Sequence, residues 1–335
     1  MKSFLKRLSI FILIPFLIVL VGYLYFDPYK VIYEYDDYGK SCVVLNRDYV
    51  STTKYLKNKD KYHFDSFIFG SSRTIAFKAK TWKEYLGNEA SPFVFDGAGE
   101  SIYGIHGKLK YLDKQNVTIN NVLIVLCRDW MAIDRGLYSG HIFKKHPATS
   151  DETWLNFHFT MFNAYLNTKF LLAYYDFTFT GVFRPSMKTV LTQDQLTIDP
   201  ISNDITVPLI DAKIAENPKQ HILNNAALFY DRKGEKLDSI DRLDPENIQM
   251  LKEIKQILEK RNVNYKIVAS PSYDQIKFST NDKNILQDLF GNHFYDYTGK
   301  NKFTDNKENY YETSHYRPTI GKLMLDEMYS KEKDR

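Results

Sequence analysis

Residues 64–73, Phe64-Asp65-Ser66-Phe67-Ile68-Phe69-Gly70-Ser71-Ser72-Arg73, decide the fold of this chain. A short apolar run ends in one glycine and two serines, and an amphipathic stretch at helical spacing, 74–87, follows at once. That is the opening of a βαβ unit, in which a buried strand feeds a helix through a tight turn of small residues. Outward from it the same texture recurs. Apolar runs at 92–95, 122–126, 265–269 and 294–297 predict further strands, and 101–114, 246–262, 281–290 and 317–331 predict helices. Asp244-Pro245-Glu246 places a capping acid and a first-turn proline ahead of one of them. The expected fold is flavodoxin-like, a three-layer α/β/α arrangement with about five parallel strands.

Two segments stand outside that rhythm. The stretch 8–26 carries no charge and approaches the roughly 20 residues needed to cross about 30 Å of hydrocarbon. Lys2, Lys6 and Arg7 precede it and Asp27 follows, so the positive-inside rule predicts a cytoplasmic N-terminus at 1–7, an uncleaved single-pass anchor at 8–26 and a main domain outside the cytoplasm. Polar, tyrosine-rich residues 27–62 read as a stalk that becomes the entry to the α/β domain at 63–335. Within that domain, 130–243 is far longer than an ordinary α/β connection and must be an insertion with structure of its own. Its part 156–179 reads as an aromatic helix, 180–243 as irregular turns and short strands. Ligands of open α/β sheets bind beyond the carboxyl ends of the strands, which makes the insertion the candidate substrate-recognition cap.

Composition narrows the function. With 45 basic and 41 acidic residues the net charge is only +4, which argues against a nucleic-acid partner. Cysteines Cys42 and Cys127 are too few for a disulfide framework or a tetrahedral zinc site, and no cofactor motif is present, so neither metal nor cofactor is expected. Aromatics at 15% of the chain, rich in tyrosine, suit sugar-facing surfaces.

Two separated motifs carry chemistry. A serine at the strand-to-helix turn, Ser71 or Ser72, is exposed at the ligand edge of the sheet, although serine there is also a favoured helix cap. Near the other end, Glu312-Thr313-Ser314-His315 precedes the last helix, and this spacing lets one turn present an acid to orient an imidazole. Together these resemble the SGNH/GDSL hydrolase superfamily, whose first block is G-D-S after strand one and whose last is D-x-x-H before the final helix. The closer likeness is to its membrane-anchored, extracytoplasmic branch, similar to D-alanyl transfer and alginate-type O-acetylation proteins, where G-S-S openings occur.

The resemblance implies Ser72 as nucleophile, His315 as base and Glu312 as its orienting acid. Its second block matches Asp96-Gly97-Ala98-Gly99, with Gly99, or failing it Gly97, as an oxyanion N–H donor. Its third block is normally G-x-N-D; here Leu126-Cys127-Arg128-Asp129 stands there, so the asparagine donor is missing, and either Arg128 donates instead or turnover is slow and suited to transfer. Arg73 and Asp129 complete the implied substrate-binding set, Arg73 because a cation in a first helical turn points to an anion or acid nearby. The activity implied is that of a serine esterase or O-acyltransferase acting on acyl groups of a cell-envelope or exported glycan. The alternative is a noncatalytic envelope protein of that fold that binds glycan or docks onto a membrane-bound O-acyltransferase.

Overall fold

The computed structural model describes residues 2–132, 137–193 and 196–333. It is an α/β protein built on five parallel strands, β1 (Ser66–Gly70), β2 (Pro92–Asp96), β3 (Asn121–Leu126), β4 (Asn264–Ala269) and β5 (Phe294–Asp296), in the order β2-β1-β3-β4-β5. Ile68 pairs with Val94 on one side and Leu123 on the other, so β1 lies at the point where the strand order reverses, which is where such sheets bind ligands.

Side-chain alternation explains why these runs are buried. Phe67 and Phe69, Phe93 and Phe95, and Val122 and Ile124 face one core; Ile68, Val94, Leu123 and Val125 face the other. A strand apolar on both faces is stable only with helices on both. The first face is covered by α2 (Arg47–Tyr62), α4 (Ile102–Lys114), α9 (Pro245–Lys260) and α10 (Thr280–Phe290), the second by α3 (Ala79–Leu86) and α11 (Pro318–Lys333). The predicted helix 74–87 is divided into a single 3₁₀ turn, Ser72–Ala76, and α3, because Phe77 and Lys78 are extended between them.

The N-terminal α1 (Lys2–Phe26) is long and apolar enough to cross a membrane. Residues 27–62 do not form a stalk. The Asp27 carboxylate accepts the N–H groups of Val31 (2.9 Å), Ile32 (2.9 Å) and Tyr33 (3.1 Å), which folds the chain back at once. Tyr29, Val31, Tyr38 and Val43 are then buried, and α2 packs on the edge strand β2. The expected single aromatic helix is two: α5 (Trp154–Tyr165) stops at Leu166, and Asn167 caps α6 (Thr168–Thr180) by accepting the Phe170 N–H. This pair packs on α1 rather than over the sheet, with Phe162 against Phe16 and Tyr23 and Phe26 against Tyr175. Residues 180–243 also hold two short helices, α7 (Pro208–Glu216) and α8 (Pro218–Asn224), beside the Tyr311 turn.

Candidate active site

β1 ends at Gly70, whose φ of +149° and closeness to Val125 leave no room for a Cβ: one built there would lie 2.6 Å from the Val125 carbonyl oxygen. The chain turns directly into Ser71-Ser72, and the two serines take different places. Ser71 is the cap, accepting the Arg73 N–H at 3.4 Å, and its hydroxyl lies 2.9 Å from the buried Cys127 Sγ. Ser72 is left to reach outward, and its Oγ lies 2.7 Å from His315 Nε2. On the other side of the imidazole, Nδ1 is hydrogen-bonded to Glu312 Oε1. Serine, histidine and acid thus form one hydrogen-bonded line, its first two members separated by 243 positions in the sequence.

The histidine turn is itself held. Glu312 Oε2 accepts the Ser314 N–H at 2.6 Å, and the Arg73 Nε donates to the Ser314 carbonyl at 2.9 Å, so the residue after Ser72 clamps the turn that carries His315. Burial opposes the charge on Glu312. The bond and positive charge offered by His315, with the backbone N–H groups of Ser314 and His315, nevertheless hold its carboxyl below the usual range.

The loop after β2 comes to the same edge. The Gly97 N–H donates to the Gly70 carbonyl at 3.1 Å, so that donor is spent in tying the two loops together. Gly99 has φ +53°, and a Cβ on it would lie 3.1 Å from Phe143 and 3.2 Å from Trp130. Its loop is fixed from beneath by a fully buried charge cluster: Lys108 and Lys145 both bind Glu100, Lys108 reaches Asp48 at 2.8 Å, and Lys108 Nζ donates to the Asp96 carbonyl at 2.7 Å. Burial raises the cost of the Asp48 charge, but the two ammonium groups outweigh it and hold its carboxyl far below the normal range.

Among the remaining expected residues, Arg128 is differently employed. Its guanidinium meets Asp129 (2.9 Å), Asp238 (2.9 Å) and Asp274 (2.6 Å), which fastens the loop after β3 to the insertion and to the loop after β4. A guanidinium already shared among three carboxylates is a poor oxyanion donor, because the same donors and charge would have to be withdrawn from them. Asp129 also lies 3.7 Å from the Arg73 Nη2 and so bridges the two arginines. The acid that Arg73 called for in the sequence is this one.

A cavity of about 260 Å³ opens beside Ser72, and no sequence motif announced it. Its wall includes Asp96 and Ala98, but most of it is aliphatic: Val43, Leu45, Val50, Leu196, Ile198 and Ile205. These come from the supposed stalk and from the insertion, two segments without strong periodicity. Arg47 and Asp96 are the charged members and pair with each other at 2.9 Å, so the lining has no net charge.

No protein-family model matches this chain, and no curated protein is similar to it. No cluster of three or more metal-ligating side chains occurs among the described residues. Both cysteines are free thiols, Cys127 buried at the end of β3 and Cys42 half-buried.

Proposed function

We propose that this protein is a membrane-anchored serine esterase or O-acyltransferase of SGNH/GDSL type, acting on the acyl groups of a cell-envelope or exported glycan. The observation that carries the reading is the line Ser72–His315–Glu312, with the nucleophile-to-base distance of 2.7 Å already within catalytic hydrogen-bond range. Ser72 Oγ attacks the ester carbonyl while its proton passes to His315 Nε2. Glu312 holds the Nδ1–H and stabilises the imidazolium, and the N–H groups of Ser72 and Gly99 receive the negative charge that develops on the carbonyl oxygen. The alcohol leaves with the proton from His315. An incoming hydroxyl, of water or of a sugar, then gives its proton to His315 and takes the acyl group from Ser72, whose Oγ leaves with that proton from His315, so hydrolysis and transfer share one intermediate.

Arg128 has no part in this scheme, and the oxyanion rests on two backbone donors. The neutral aliphatic cavity beside Ser72 receives the acyl group. The basic N-terminus ahead of α1 supports a cytoplasmic start and an extracytoplasmic domain. A membrane-bound O-acyltransferase that hands on acyl groups fits this placement as a partner.

The test is covalent labelling of the full-length, detergent-solubilised protein with a fluorophosphonate, followed by peptide mass spectrometry. Labelling at Ser72 that is lost in His315→Ala is the expected result. Folded protein that stays unlabelled, or a label on another serine, would remove Ser72 as the nucleophile.

A further inference from the structure

Helices α5 and α6 of the insertion turn large apolar side chains outward as well as inward, among polar ones such as Asn156, Asn163 and Lys169. On α5, Phe157, Met161 and Tyr165 are buried while Leu155 (84%) and Phe159 (66%) are exposed. On α6, Phe170 and Tyr174 are buried while Leu172 (70%) and Phe179 (74%) are exposed. A helix on a water-facing surface keeps its large apolar side chains inward, so a helix that also turns several of them outward has apolar surroundings on that side, as an interfacial helix does. A group of exposed large side chains of this kind marks a binding surface rather than scatter.

The neighbour of these helices identifies the surroundings. Contacts with α1 run from Phe16, whose ring meets Phe162 at 6.1 Å, through Val19, whose carbonyl accepts the Tyr165 hydroxyl at 3.3 Å, to Phe26, whose ring meets Phe179 at 6.2 Å. Gly22 lies between, where a methyl group would overlap the Tyr175 hydroxyl. At about 1.5 Å per residue, Phe16 to Phe26 covers about 15 Å, half of a hydrocarbon core of about 30 Å. With 12 and 13 residues, α5 and α6 are about 18 and 20 Å long, too short to cross. Between α1 and α5 runs an open groove of about 800 Å³, lined along these helices by Leu20, Leu24, Phe159 and Phe162, with His146 and His158 beside them, and by Glu34 and Lys57 from the segment after the anchor. Its apolar side chains thus lie along the anchor and its charges on residues that follow it, the order expected across one bilayer leaflet.

We propose that α5 and α6 form an interfacial hairpin immersed in the outer leaflet beside α1, with Leu155, Phe159, Leu172 and Phe179 against lipid and an acyl chain of that leaflet in the groove. The inference rests on α1 being the membrane anchor. It adds a second, non-spanning attachment. The aromatic cluster around the hairpin includes Val43, which also lines the Ser72 cavity, so the attachment holds the reacting end of the domain at the bilayer surface.

Depth-dependent quenching tests it on the full chain. With Cys42 and Cys127 replaced by serine, single cysteines at Ile12, Leu155, Phe159, Leu172, Phe179 and Leu323 are labelled with a nitrobenzoxadiazole dye, and the protein is reconstituted into phosphatidylcholine vesicles carrying doxyl-labelled lipid. Ile12 should be quenched best by a deep doxyl group, the four hairpin positions by a shallow one, and Leu323 on α11 by neither. Quenching at Ile12 without quenching on the hairpin overturns the hairpin proposal and leaves the anchor. Absence of quenching at Ile12 as well overturns both. Retained fluorophosphonate labelling in each labelled variant keeps a misfolded protein from being counted as either result; if the parent itself takes no label, a preserved circular-dichroism melt serves.

Discussion

Replacing Glu312 by glutamine keeps the shape of the orienting side chain and removes its charge, and the size of the effect follows from exposure. The amide can donate to His315 Nδ1, which would turn Nε2 from proton acceptor into donor toward Ser72. In addition, the imidazolium formed as Ser72 attacks loses its counter-charge. For unit charges about 4 Å apart that attraction is about 4 kcal/mol at an effective dielectric of 20 and about 1 kcal/mol in bulk water. The Glu312 and His315 side chains are 32% and 31% exposed, so the pair lies between these limits. A rate loss of about 10²–10³ is therefore expected, smaller than the ~10⁴ typical when a fully buried triad carboxylate is neutralised. The second-order rate of fluorophosphonate labelling at pH 7.5 reads it without knowledge of the natural substrate. A glutamine variant that labels within about twofold of the parent, well under the 1.4 kcal/mol of a tenfold change, would refute the orienting role and leave His315 acting alone.

Three further outcomes are expected. Gly99→Ala forces an alanine into left-handed backbone, at a cost of about 1–2 kcal/mol, and presses its Cβ on Phe143 and Trp130; hydrolysis of a chromogenic ester should fall about 10–100-fold while the melting temperature drops only a few degrees. An unchanged rate would show that this loop does not hold the oxyanion. Across chromogenic esters of increasing chain length, kcat/KM should rise from acetate to hexanoate by up to about fourfold per methylene, and Leu196→Trp at the half-covered wall should erase the gain; a parent that prefers acetate would refute the aliphatic acyl site. The third outcome concerns pH. Burial, outweighing the attraction of Asp48, pushes the His146 imidazole down to about 4. The unfolded chain then binds a proton near pH 6.5 that the folded chain refuses, so stability is full above that pH and falls by about 3 kcal/mol as pH drops toward 4. Urea titrations of His146→Asn should show a flatter dependence across that window, and an equally steep one would assign the loss to other groups.

The sheet was legible because its strands are short apolar runs that end in small or polar residues, a pattern that survives without knowledge of the partners. Ser72 was legible for the same reason, since a turn must follow β1; Glu312 and His315 were legible because an acid and a histidine three residues apart stand just before α11. What escaped were segments whose role depends on distant neighbours. Residues 27–62 are polar enough to look like a tether, yet Asp27 gathers their first amides and α2 lies on β2. The division of 156–179 into two helices was marked only by Asn167-Thr168, a cap hidden in an apolar run. Arg128 follows β3 where a donor was needed, but its three carboxylates come from positions 129, 238 and 274, which no local pattern brings together.

The clamp from Arg73 to Ser314 bears on how this protein is made. The chain is synthesised N-terminus first, and Ser72 emerges long before His315. At about 5–20 residues per second, the 243 positions that separate them take about 12–50 s to synthesise. Throughout that interval the serine has no base, and the turn that will bring one is unclosed until α11 docks against the segment after β1. On the reading proposed above, a nascent molecule is thus inert toward esters until that turn closes. On the same reading, a protein that lost α11 would stay without reactivity.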